Sequence, residues 1–173
     1  MDSKSSGSNV KLRIATKEDL LELATSATSL TALLDTSKID IAGGNYFILT
    51  ARYNNLLIGV LIAEKKIHKV DSLNMIVPRI RLYLIHVHEK YRLMGIGKKL
   101  LETFLKFYHK AEVASIYVKL PQKYQKGISF FLKYDFQRVE VIKNKIVLEL
   151  NLWKDYGIRN CEIIDTSVKD IFE

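Results

Sequence analysis

The sequence predicts an α/β fold: a mixed, mostly antiparallel central sheet of roughly six to seven strands, about four helices, and one parallel strand–helix–strand crossover. Three observations carry this. First, a β-favouring stretch, a glycine turn and an amphipathic helix follow one another from Arg79 to Tyr108, and a further β-favouring stretch follows at Ala114 to Leu120. Two strands joined by a helix pair in parallel through a right-handed connection. Second, the two-residue turns Asn54-Asn55 and Lys143-Asn144 each sit between β-favouring segments, which predicts antiparallel hairpins on either side of the crossover. Third, 173 residues at 48% hydrophobic and 27% charged are enough to bury one proper core.

Taken in order, residues 1–9 are polar and Ser/Gly-rich and are expected to be a disordered segment outside the fold. The folded domain is expected over residues 10–152, with residues 153–173 a tail that can pack back on it. Val10, Leu12 and Ile14 alternate with Lys11 and Arg13, the pattern of a half-buried strand. Thr16 with Asp19 three positions later opens a helix, with Leu20, Leu23, Ala24 and Ala27 along one face. A second short helix fits Leu30 to Leu34, and Asp35 to Gly44 reads as loop. Tyr46 to Arg52 and Leu56 to about Ile67 are strands, while Lys69 to Pro78 reads as a connection.

Ile80, Leu82, Tyr83, Leu84, Ile85 and Val87 then fill a strand expected to be covered on both faces. From Gly97 onward Leu100, Leu101, Phe104, Leu105 and Tyr108 recur at helical spacing. After the strand at Ala114 to Leu120, a helix fits Gln122 to Tyr134. Phe136 to Val141 and Lys145 to Leu152 form the closing hairpin.

The chemistry concentrates in the joint Arg92-Leu93-Met94-Gly95-Ile96-Gly97-Lys98. Two glycines let the backbone come close to a ligand, and a helix N-terminus offers free N–H groups at the positive end of its dipole. Such a turn holds a phosphate or pyrophosphate. Arg92, Lys98 and Lys99 add charge of the right sign. A P-loop would need glycine at position 90 and Ser or Thr at 99, and both hold Lys. A dinucleotide fingerprint would need a third glycine at position 100, which is Leu.

The formal net charge of +8 admits an anionic cofactor, an acidic partner or nucleic acid. The one tight basic cluster, Lys90, Arg92, Lys98 and Lys99, coincides with the glycine turn, and neither zinc-finger spacing nor an aromatic-and-basic RNA motif is present. A cofactor and a solvated basic surface account for the excess, so nucleic acid is not expected. No metal site is expected. The longest apolar run, Leu56 to Ala63, is too short to cross a bilayer, and Met1 to Asn9 lacks the apolar core of a signal peptide. The lone Cys161 forms no intrachain disulfide and reads as an ordinary thiol, in keeping with a cytoplasmic location.

Val87-x-x-x-Tyr91-Arg92-x-x-Gly95-x-Gly97 after a strand resembles the acetyl-CoA-binding signature of the GCN5-related N-acetyltransferases, the GNAT superfamily. The predicted element order β-α-α-β-β-β-α-β-α-β-β is that of the family over residues 10–152. Gly127-Ile-Ser-Phe-Phe-Leu-Lys-Tyr-Asp-Phe136 is similar to the family block Ala-x-x-Phe-Tyr-x-Lys-x-Gly-Phe.

The resemblance implies acyl transfer from acetyl-CoA to an amine by direct attack, without an enzyme nucleophile. That agrees with a chain showing no evident Ser-His-Asp or Cys-His arrangement. By resemblance Ile85, His86 and Val87 meet the pantetheine arm, a main-chain N–H near Val87 polarises the thioester carbonyl, and residues 92–98 hold the diphosphate.

The base is less legible. Positions 79, 81, 83, 85 and 87 share one strand face, and they hold Arg79, Arg81 and Tyr83 but no carboxylate. Tyr83 is the best candidate for a base or water-orienting group, although a packed or cleft-lining tyrosine needs no such role. His86 and His88 point the other way, as a core and a loop histidine. The family's general-acid tyrosine is Phe131 here, so by resemblance that role is either missing or moved to Tyr134 or Tyr124. The family asparagine that touches the cofactor is replaced by Tyr124. Lys119 lies close to where protein N-terminal acetyltransferases of this superfamily place a working residue.

Near pH 7.4 about one lysine side chain in a thousand is neutral, against roughly a third of α-amines. The acceptor is therefore expected to be a peptide or protein N-terminus or a small-molecule amine, and the protein a monomer or homodimer. The alternative is a catalytically weak CoA-binding module that works by protein interaction.

Overall fold

In a computed structural model, residues 9–16, 18–19, 21–22, 46–70, 75–108 and 113–153 are described. Seven strands form one sheet: β1 (Val10–Ile14), β2 (Tyr46–Tyr53), β3 (Leu56–Val70), β4 (Met75–Val87), β5 (Ser115–Pro121), β6 (Gln137–Ile142) and β7 (Lys145–Asn151). Hydrogen-bonded neighbours run β1-β2-β3-β4-β5-β7-β6. The β4–β5 pair is parallel, and β1–β2, β2–β3, β5–β7 and β6–β7 are antiparallel. The α-helices described over their full length are α1 (Ile96–Tyr108) and α2 (Gln125–Leu132), with a short 3-10 turn at Glu89–Tyr91; residues 18–19 and 21–22 are also helical. The expected helix at 30–34 and loop at 35–44 lie outside the described residues, as do residues 1–8 and 154–173 of the terminal segments.

Contacts divide the chain into two compact units, Met1–Lys65 with Arg81–Lys110 and Lys66–Ile80 with Ala111–Glu173. In the first, β3 is buried on both faces from Ile58 to Ala63, which is why that stretch is apolar without alternation. β2 pairs with it from Tyr46↔Glu64 to Tyr53↔Leu56. The hairpin closes at Asn54 (φ 48°) and Asn55 (φ 64°), the left-handed pair that two-residue turns require and asparagine tolerates.

Helix α1 buries Ile96, Leu100, Leu101 and Phe104, as its periodicity predicted. Phe47, Phe104, Phe107 and Tyr108 gather at its C-terminal end, with ring centroids 4.8–5.8 Å apart. Gly59 on β3 is the close-approach point beneath this helix. A Cβ there would stand 3.2 Å from the His86 carbonyl oxygen, 3.3 Å from Leu100 Cδ1 and 3.4 Å from Ile96 Cγ2. Gly59→Ala should therefore cost about 1–2 kcal/mol, read as a lowered midpoint in urea unfolding, because a strand carbonyl cannot yield as a side-chain tip can.

At the N-terminus of this unit, the expected helix start at Thr16 is present as a reciprocal cap. Thr16 N donates to Asp19 Oδ2 (2.8 Å), and Asp19 N donates to Thr16 Oγ1 (3.4 Å).

In the second unit, β5 is buried from Ser115 to Val118 and pairs with β7 from Ser115↔Asn151 to Pro121↔Lys145. β6 is the outer strand, exposed along its whole length. Its turn to β7 places Lys143 at φ 54°. The segment from Lys69 to Pro78 is not the connection expected. β3 continues to Val70 and β4 begins at Met75, so only residues 71–74 lie between the two strands. Pro78 disguised the start of β4, because a proline argues against a central strand. The structure uses only its acceptor: Pro78 O receives the Ala114 N–H at 2.9 Å.

Helix α2 is shorter than the expected Gln122 to Tyr134. Gln122 N is taken by Asn144 O, Tyr124 N by Pro121 O, and Asp135 at φ 63° ends the segment. Asp135 stands where the similar family block has glycine, and the left-handed backbone is the reason a glycine suits that place.

Candidate cofactor-binding turn

The candidate site in the first unit begins where β4 ends. Ile80 and Leu82 are buried, while Tyr83, Leu84, Ile85, His86 and Val87 are half-buried, so this strand is covered less completely than its apolar run suggested. Tyr83 and Leu84 pack against the cluster of Ile48, Val60 and Ile62. The Arg81 guanidinium lies 5.0 Å from the centre of the Tyr83 ring. Burial, then the positive charge of Arg92 and the neighbouring His88, hold the His86 imidazole below its ordinary pKa, so it is neutral near pH 7. His88 N–H donates to Ile58 O at 2.8 Å, and its Nδ1 accepts from Lys90 N at 3.3 Å, fixing the 3-10 turn that leaves the strand. A loop histidine was expected; the cap was not.

The turn itself is held by Arg92, whose Nε donates to Val87 O at 3.0 Å across the mouth of the loop. Leu93 (φ 64°) and Gly95 (φ 76°) both adopt the left-handed conformation. Glycine enters that region without penalty, whereas a leucine there carries a strain of about 1 kcal/mol or more. Leu93 is fully exposed and Met94 more than half so. The first helical bond of α1 runs from Lys99 N to Gly95 O at 3.0 Å. The amides of Gly95, Ile96, Gly97 and Lys98 precede it and have no helical acceptor.

Helix N-termini normally carry Asp or Glu, which the dipole favours. This one has no acidic residue in its first turn and places Lys98 and Lys99 there instead, with Lys98 Nζ 3.8 Å from Glu102 Oε1. The positive end of the α1 dipole is thus not offset by an acid in its own first turn. A Cβ on Gly97 would meet nothing nearer than Val87 Cγ2 at 3.9 Å, so the space in front of the first turn is open toward the end of β4. Strand end and turn, residues 85–87 and 92–98, are brought together here as expected, and their donor set suits a diphosphate.

Tyr124, Phe131 and Tyr134 belong to the second unit. Tyr124 precedes α2, is half-exposed, and lays its ring over Gly127, where a Cβ would come within 2.3 Å of the ring. Phe131 is buried against the rings of Phe130 (5.3 Å) and Phe136 (5.2 Å). Tyr134 is half-buried with its ring 5.4 Å from Phe130. Sequence reasoning missed Gly59, which sits in an apolar run and gives no local sign of its role. It also missed Glu149, a half-buried carboxylate joined to Arg79 at 2.9 Å. No group of three or more His, Cys, Asp or Glu suited to a metal ion occurs among the described residues, and no described helix is long and apolar enough to cross a membrane.

A strand, a glycine turn whose amides have no helical acceptor and a parallel crossover make this an α/β fold with a turn suited to an anion. The sequence profile described as the acetyltransferase (GNAT) family matches residues 17–136, and the chain belongs to that family. No curated protein matches it by sequence alone.

Solved structures share the fold at low identity. Arabidopsis thaliana Naa50, in complex with the bisubstrate analogue CoA-Ac-MVNAL, is 20% identical with a TM-score of 0.61, covering 82% of this chain and 98% of that one. The PaiA N-acetyltransferase of Thermoplasma acidophilum, in complex with coenzyme A, is 17% identical with a TM-score of 0.63 over 82% and 98%. The ribosomal-protein-S18-alanine N-acetyltransferase of Escherichia coli is 15% identical with a TM-score of 0.61 over 83% and 94%.

Proposed function

We propose that this protein is an acetyl-CoA-dependent N-acetyltransferase that moves an acetyl group to a primary amine by direct attack. The observation that carries the reading is the α1 N-terminus: amides 95–98 without helical acceptors, two lysines where acids are usual, and membership of the family. The diphosphate of acetyl-CoA would sit on those amides. The pantetheine arm would run along Ile85, His86 and Val87, and Leu93 and Met94 would be covered by the cofactor. The amine nitrogen then attacks the thioester carbon, the C–S bond breaks, and the thiolate leaves. A thiol of pKa near 8.5 leaves with little help, so Phe131 in place of a tyrosine acid does not prevent turnover. Tyr83, or a water it orients, takes the proton from the amine, and Tyr124 and Tyr134 remain the candidate acids.

Calorimetry with acetyl-CoA and release of free thiol in the presence of a library of peptides and amines test the reading directly. Tyr83→Phe should lower kcat by about 10²-fold while leaving CoA affinity unchanged, since it removes only a hydroxyl. A second reading, a module that binds CoA and works by protein interaction, is favoured by Phe131 and by a β4 face without a carboxylate. Acetyl-CoA raising the melting temperature with no acceptor releasing thiol would select it.

A further inference from the structure

We propose that the first unit carries an anion site apart from the cofactor turn, a cleft on the β1–β2 edge of the sheet that takes a phosphate monoester. Among the described residues the cleft is lined by Asn9, Lys11, Arg13, Arg52, Asn54 and Asn55, and it encloses about 530 Å³. Small-ligand clefts have volumes of roughly 300–1,000 Å³, but their walls are mostly apolar. This wall has three cations and three side-chain amides, and none of the six residues is a carboxylate. An apolar occupant gains nothing there, whereas an anion gains charge-assisted hydrogen bonds.

Strand alternation and one turn build this wall. Lys11 and Arg13 fall on one face of β1, an edge strand, and Lys11 is directly opposite Arg52 on β2. Like charges so placed, with Cβ atoms about 5 Å apart, weaken a strand pair. Carboxylates answer only one end of the row. Buried Asp19 takes Arg13 Nη2 at 2.8 Å, Arg52 Nε at 3.0 Å and Arg52 Nη2 at 2.6 Å, and Glu22 pairs with Arg52. Arg52 Nη1 donates to Asn55 O, which ties the guanidinium to the left-handed Asn54-Asn55 turn. The two arginines are thus held in place from behind.

What is left faces the cleft opening with donors to spare. The Lys11 ammonium, Nε and Nη1 of Arg13 and the side-chain amides of Asn9, Asn54 and Asn55 have no partner among the described residues. A phosphate monoester brings three acceptor oxygens and close to two negative charges at neutral pH. It can therefore meet Lys11, the free edge of Arg13 and the amides together, and relieve the opposed Lys11 and Arg52 charges. A carboxylate brings fewer oxygens and a single charge. The phosphate can belong to a phosphorylated peptide or to a free phosphate ester.

An amide-resolved NMR titration of the full chain with sodium phosphate tests this, with ionic strength held constant by sodium chloride. The amide signals of Lys11, Asn54 and Asn55 should move along one saturating curve, and the same curve should appear with coenzyme A present. Lys11→Gln should weaken phosphate about tenfold, the effect of losing one charge-assisted hydrogen bond, with no fall in melting temperature. The peptide Gly-phosphoserine-Gly binding about tenfold tighter than inorganic phosphate identifies a phosphorylated chain as the source, and equal affinity identifies a free phosphate ester. No saturating response, signals that move only at residues 93–98, an equal response to sodium acetate, or undiminished binding in Lys11→Gln would overturn the proposal. The readout involves neither thiol release nor an acceptor amine, so the acetyltransferase reading stands or falls separately.

Discussion

Gly97→Glu should leave the free protein about 1 kcal/mol more stable, a rise of roughly 2–4 °C in melting temperature for a chain of this size, while weakening coenzyme A binding at least 100-fold. The two effects have opposite signs because one feature of α1 serves opposite ends. Gly97 is the second residue of the helix, where glycine is among the poorest formers and an acid is among the best, since its charge meets the positive end of the dipole. Space is not the obstacle: its backbone φ is not left-handed, and a new Cβ meets only Val87 Cγ2 at 3.9 Å. A carboxylate there would settle on the amides of residues 95–98 and neutralise Lys98 and Lys99, which improves the empty turn. It would also hold negative charge where the diphosphate is proposed to sit, and like charges facing each other cost several kcal/mol. Calorimetric titration with coenzyme A and a thermal melt of the same samples measure both quantities. A stabilised variant that still binds with native affinity would show that the cofactor lies elsewhere.

What the sequence made legible is what depends on local chemistry. The Arg92-x-x-Gly95-x-Gly97 turn was readable because a left-handed φ at Gly95 asks for glycine, and because lysines at a helix start go against the usual preference. The Asn54-Asn55 hairpin was readable for the same reason. What escaped depends on pairing at a distance. β3 runs on past Glu64 and Lys65, where the apolar pattern stops, and β4 starts before Pro78. Gly59 matters only because three atoms from β4 and α1 converge on it. Glu149 joins Arg79 across 70 positions of chain, and no periodicity encodes that. The departures at Phe131 and Tyr124 were visible as letters. Their consequence was not, since a buried phenylalanine between Phe130 and Phe136 is explained by packing whether or not the protein is an enzyme.

Asp19→Asn should destabilise the first unit by about 3 kcal/mol at neutral pH, and the loss should shrink as the pH falls below about 4. The side chain is buried and accepts from five donors: Thr16 N (2.8 Å) and Thr16 Oγ1 (3.2 Å) on Oδ2, and Arg13 Nη2 (2.8 Å), Arg52 Nε (3.0 Å) and Arg52 Nη2 (2.6 Å) on Oδ1. It therefore joins the start of a helix to β1 and β2. An amide keeps the shape but turns one acceptor into a donor among donors, and leaves the mostly buried Arg52 with only Glu22 as a charge partner among the described residues. Arg13, half-exposed, contributes little to the total.

The pH dependence follows from the same contacts. Burial pushes the carboxyl upward, but the Thr16 amide, Arg13 and Arg52 more than offset it, so the group titrates well below the usual carboxylate range in the folded state. A depressed folded pKa means that the stabilisation is complete above the unfolded value and is withdrawn as protons bind below it. Urea unfolding of the native chain and the variant at a series of pH values from 7 to 3 measures the difference. Two parallel curves across that range would mean that the carboxylate charge contributes nothing, and that Thr16 and Asp19 act only as a neutral cap.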